Sequence, residues 1–145
     1  MLSRVMLVIV LIGTVGSISA AEQGPPSEPA AFVAYYWKAR PGKLVEYNDY
    51  ITKVAVPIDE DARRAGVFEE VRTVMPTPGP DGVLPEWTHL RIFRLRNTAA
   101  VETLSAGLDA ATLRVVPDEA QRKANSARSA ELRDLVRREV WRELR

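Results

Sequence analysis

The chain is 145 residues long, with 20 basic residues against 19 acidic ones, a single histidine and no cysteine. A balance so near neutral argues against a nucleic-acid partner, because clustered basic surface supplies most of that affinity. Without cysteine there is no disulfide framework and no thiolate for structural zinc, and one histidine cannot complete a four-coordinate site.

Residues 1–21 read as a secretory signal peptide. Arg4 is the positive start, Val5 to Val15 is an apolar run broken by Gly13 and Thr14, and Ser17, Ser19, Ala20 and Ala21 supply the small residues at a cut expected after Ala21. The run is too short to span a bilayer, which takes about 20 apolar residues, and no cysteine is present to carry a lipid. The mature chain is therefore expected in the periplasm or outside the cell, with no stable membrane insertion. Cleavage removes Arg4 and leaves 124 residues with 19 basic and 19 acidic side chains, enough for one domain with a real core.

Residues 22–30, "EQGPPSEPA", have proline but no apolar period and read as a disordered leader. A domain over 31–145 follows. "FVAYYWKA", residues 32–39, is rich in β-formers and is ended by Arg40-Pro41-Gly42. Leu44, Tyr47, Ile51, Val54, Ile58, Ala62 and Ala65 recur at spacings of three and four, which predicts a helix with one buried face, closed by Gly66. Pro57 predicts a kink or break near Val56. Asp59, Glu60, Asp61, Arg63 and Arg64 read as the solvated face of the second half.

Val67 to Met75 predicts a second strand, a Pro-Gly-rich loop follows, and Glu86 to Arg96 predicts a third strand. Asn97 and Thr98 are N-cap residues for a helix marked by Val101, Leu104, Leu108, Ala111 and Val115, within which Gly107 implies close packing. Asp118 with Gln121 opens a further helix whose apolar face is thin and mostly alanine. The last segment fits either a helix continuing from Leu135 and Val136 or a strand alternating through Val140, Arg142 and Leu144; the strand completes the pattern better. The order is then that of an α+β, ferredoxin-like βαββαβ domain: an antiparallel four-stranded sheet with its main helices on one face, plus one extra C-terminal helix.

Such a domain covers one side of the sheet. Phe32, Ala34 and Tyr36 point one way and Val33, Tyr35 and Trp37 the other, and both sets favour leaving water. A second copy of the chain is the expected cover. The tyrosine-rich "FVAYYWKA", the "RPGK" turn into a long helix, "RRAGVFEEV" and "EWTHLRIFRL" together resemble the dimeric α+β barrel superfamily, in which two ferredoxin-like protomers pack sheet against sheet. The resemblance implies that fold and a homodimer; members include cofactor-independent oxygenases, isomerases and haem enzymes, and none of their active-site motifs is carried over here.

On the third strand Leu90 and Ile92 are expected to pack on the helices, leaving Trp87, His89, Arg91 and Phe93 to line a cavity. Tyr35, Trp37 and Glu70 (or Glu69, depending on register) are expected to join them as ligand-binding residues for a small aromatic or carboxylate molecule. His89 is the catalytic candidate as a general base, or as an axial haem ligand, with Arg91 as anion anchor. A strand histidine satisfied by a neighbour is the plainer alternative. No metal site and no cofactor motif is expected: Gly-rich phosphate loops and nucleophile elbows are absent from the sequence. Two functions stay open at this level, an exported small-molecule-binding or accessory protein with a cavity between the sheets of a homodimer, and a cofactor-independent oxygenase or isomerase.

Overall fold

A computed structural model describes residues 28–144. The expected signal peptide and most of the leader fall outside the described residues. Strand β1 (Ala31–Ala39) ends at Arg40-Pro41-Gly42, where Gly42 takes a φ of 73° that other residues rarely adopt. Helix α1 (Leu44–Tyr50) passes into a π-helical turn (Ile51–Ala55) and then α2 (Val56–Arg64). Proline accounts for the change of pitch: Pro57 has no N–H for the carbonyl of Lys53, and its ring crowds that turn. Of the kink or break expected near Val56, the structure shows a π turn ending just before it, after which the helix continues.

Gly66, with φ 75°, closes α2. Its N–H donates to the Arg63 carbonyl at 3.0 Å and the next N–H, Val67, to Ala62 at 3.0 Å, the paired bonds of a Schellman motif. Strands β2 (Glu70–Val74) and β3 (His89–Leu95) form an antiparallel pair. Helix α3 (Ala100–Val115) starts where Asn97 Oδ1 accepts the Ala100 N–H at 3.0 Å. Helix α4 (Glu119–Leu132) starts where the Asp118 side chain accepts from the Gln121 N–H at 2.6 Å. Strand β4 (Arg133–Arg142) closes the chain, resolving the C-terminal ambiguity in favour of the strand.

The sheet is antiparallel throughout, in the order β2-β3-β1-β4, the ferredoxin-like arrangement. Its edges are β2, five residues long and followed by Pro76, and β4, which carries Arg133, Arg137, Arg138 and Arg142 and a register shift opposite Tyr36 and Trp37.

The helices cover the face formed by the odd-numbered positions of β1 and β3. Ala31, Val33, Phe93 and Leu95 meet Ala62, Phe68, Leu104 and Ala111 in the main core, while Ala39, Tyr47, Ile51 and Leu132 form a second cluster against Trp37 and Tyr50. Gly107 is where α3 approaches Val67: a Cβ there would stand 2.4 Å from Val67 Cγ1.

The expected division of β3 is therefore reversed. His89, Arg91 and Phe93 lie under the helices, and Leu90 and Ile92 lie on the open face. Val33, Tyr35 and Trp37, whose cover was expected from a second copy, are covered by the chain's own helices. The open face instead carries Phe32, Ala34 and Tyr36 beside Leu90, Ile92, Val74 and Trp141. Tyr36 stays only 6 % exposed there because Trp87 packs edge-on at 5.6 Å and the Arg137 guanidinium sits 3.8 Å from its ring centroid.

Candidate functional site

The polar residues singled out on β3 meet partners on the first helix. His89 is 1 % exposed. Its Nε2 donates to Asn48 Oδ1 at 2.7 Å, and its Nδ1 accepts from the Thr88 hydroxyl at 2.9 Å. The Tyr47 ring stands edge-on 4.5 Å from the imidazole. Burial holds the His89 pKa below its usual value, and the nearby Arg133 cation adds to that effect, so the ring is neutral. Both nitrogens are occupied inside the fold, so His89 ties α1 to β3 and does not face a cavity as a free base.

Arg91 is not an open anion anchor either. Its guanidinium is paired with Asp59, with both side chains nearly buried. Asp59 was expected on a solvated face; it is 7 % exposed, and burial pushes its carboxyl pKa up against the pull of Arg91. Among the described residues Arg91 Nε has no hydrogen-bond partner. Between Asn48 and Asp59 lies the π turn, so the irregular stretch of the first helix separates the two residues that satisfy the polar groups of β3.

The remaining expected ligand residues divide between the two faces. Tyr35 and Phe93 pack in the core at 6.0 Å, edge to face. Trp87 covers Tyr36 on the open side. Glu70 is at the β2 edge, ion-paired with Arg72, beside a groove of about 350 Å³ lined by Phe32, Ile92, Arg94 and Trp141.

Trp37 reaches a cleft that joins an apolar side to a polar one. On the helix-covered side, between the first helix, α3 and α4, lies a cleft of about 460 Å³, within the range of about 300 to 1,000 Å³ usual for small-molecule sites. Trp37, Tyr50, Val54 and Ile58 give it an apolar side; Arg122, Asn125, Ser126, Ser129 and Arg133 give it a polar one. The reason for the gap is in the sequence of α4. Only Leu132 of that helix is buried, because its inward residues are alanine, serine and asparagine, too small to fill the space above Trp37.

Arg133 spans the floor of the cleft. Its guanidinium carbon stands 3.6 Å from the Trp37 ring centroid; Nη1 donates to the Tyr47 hydroxyl at 2.8 Å and Nε to Ser129 Oγ at 3.0 Å. Arg122 Nη1 donates to the carbonyls of Val116 at 2.8 Å and Pro117 at 2.6 Å. Among the described residues neither arginine has a carboxylate within 4.0 Å, and no acidic side chain lines the cleft. Sequence reasoning missed Arg122, Asn125, Ser126, Ser129 and Arg133. The thin alanine face of α4 was the one signal pointing to them.

No family model matches the chain, and no curated protein does. Solved structures do. HapK of Hahella chejuensis superposes with a TM-score of 0.52 at 7 % identity, covering 79 % of this chain and 92 % of that one. An EthD family protein of Bacillus halodurans gives a TM-score of 0.47 at 11 % identity, over 80 % and 99 % of the two chains. A NIPSNAP-like domain protein of Burkholderia xenovorans gives 0.48 at 14 %, over 82 % and 86 %. The antiparallel strand order and the likeness to HapK give the chain a ferredoxin-like α+β fold. Identity this low shows a shared fold and nothing about chemistry.

Proposed function

We propose that this is an exported small-molecule-binding or accessory protein that acts as a homodimer. The single observation that carries the binding role is the cleft over Trp37, a concave site with an apolar side and an unneutralised polar one. Self-association is supported by the uncovered apolar centre of the sheet: Phe32, Leu90 and Ile92 are half-buried and Val74 and Trp141 exposed, a surface that a second sheet would remove from water. Export rests on the three-part pattern of residues 1–21.

An oxygenase or isomerase reading that uses His89 as base gains no support from the geometry, since both ring nitrogens already have partners. Native mass spectrometry of protein purified from its own exported compartment tests the proposal. It should give a dimer of chains beginning at Glu22, carrying a small-molecule adduct that Ala130→Trp, which fills the cleft, abolishes. A monomer without adduct would overturn it.

A further inference from the structure

Resting on that reading of the cleft, we infer that it recognises an organic carboxylate with a flat apolar body, the carboxylate on the guanidinium of Arg133, assisted by Arg122, and the body against Trp37, Tyr50, Val54 and Ile58. The cleft brings together two cations without neutralising either. Arg133 is half-buried and fixed from two sides, by Tyr47 through Nη1 and by Ser129 through Nε, which leaves Nη2 as the guanidinium nitrogen with no partner among the described residues. A half-buried guanidinium without a carboxylate is unfavourable unless a counter-charge arrives. Every other titratable side chain along the cleft wall is a cation or a phenol, so the vacant partner is an anion.

The hydrogen-bonding groups at the same end favour a planar, oxygen-rich head. Asn125 and Ser126 offer amide and hydroxyl donors around the arginines, and a guanidinium matches a carboxylate in shape as well as in charge. Beyond Trp37, which lies under the Arg133 guanidinium, the wall is tyrosine, valine and isoleucine, a surface for rings or short alkyl groups. Arg91, the anchor expected from the sequence, is already neutralised by Asp59, so the anchoring role falls to Arg133.

The test is a matched pair of probes, phenylacetate and its uncharged analogue phenylacetamide, titrated into tag-free mature protein by calorimetry and by NMR. The chain has one histidine, so a single imidazole signal reports on His89, which senses the Arg133 charge. Phenylacetate should bind about 10- to 100-fold more tightly than the amide, the worth of a charge-assisted pair, and should move the His89 signal. Arg133→Gln and Arg122→Gln should each shrink that preference, and Arg133→Lys should keep part of it. Equal binding of acid and amide would overturn the inference while leaving the cleft as an apolar binding site. Binding of phenylacetate with its preference intact in both glutamine variants, or no binding of it at millimolar concentration, would also overturn it. Loss of the adduct-bearing dimer is a separate result and bears on the function alone.

Discussion

His89 on β3 and Asn48 on α1 share a hydrogen bond of 2.7 Å across the interface between sheet and helix, and the imidazole is neutral when it does so. Protonation would put a second charge beside Arg133 and force the Thr88 hydroxyl, which donates to Nδ1, to turn toward the Trp37 carbonyl at 3.3 Å. The folded-state pKa lies below the ordinary value of 6.5. The unfolded chain therefore takes up the proton first, and stability is lost as pH falls from about 6.5 toward the folded-state value. Denaturant melts at pH 7.5 and at successively lower pH should show this loss, and His89→Gln should remove it in that window.

The Asp59–Arg91 pair is buried with one guanidinium nitrogen already unsatisfied. Asp59→Ala should cost about 3 to 5 kcal/mol, because it strands a buried cation. A double replacement, Asp59→Leu with Arg91→Met, should cost clearly less. Urea unfolding of the three proteins measures the difference, and equal losses would show that the pair does not act as a unit.

Gly107→Ala should destabilise by about 1 to 3 kcal/mol, as overpacking does, since the new methyl would stand 2.4 Å from Val67 Cγ1. Adding Val67→Ala makes room for it. Thermal melts should then show the double variant above the Gly107→Ala single.

Ile92→Glu places a charge at the centre of the open sheet face, between Ala34 on β1 and Arg72 on β2. It touches none of the core under the helices. The expected result by light scattering is a folded monomer, against a dimer for the unaltered chain.

The order of strands and helices was legible because its signals are local. Pro41-Gly42, Gly66, Asn97 and Asp118 mark ends, and the stripes of α1 and α3 mark faces. Which face of β3 meets the helices was not local. Leu90 and Ile92 are the more apolar pair, and on β3 taken alone they belong inside; His89 and Arg91 went inside because Asn48 and Asp59, on another element, complete their hydrogen bonds and charge. Pairings between residues 32 and 41 positions apart leave no mark in the periodicity of either segment. Asp59 beside Ile58 was the trace of it, a carboxylate bordering the apolar stripe. For the site, Trp37 was expected to line a cavity between two sheets and instead reaches a cleft on the helix-covered side, whereas Arg133 sits where α4 becomes β4, at a junction that no local pattern marks as a site.

Both margins of the sheet are guarded. β2 is short and runs into Pro76, and β4 presents Arg133, Arg137, Arg138 and Arg142 with an offset in its pairing. Strand-by-strand extension would have to stack like charges or pair across an irregular ladder. Recruitment of another chain is thus steered onto the flat of the sheet, a geometry that is satisfied after one addition. A chain without cysteine, and so without disulfides to lock it, is in this way kept from polymerising strand by strand into fibres.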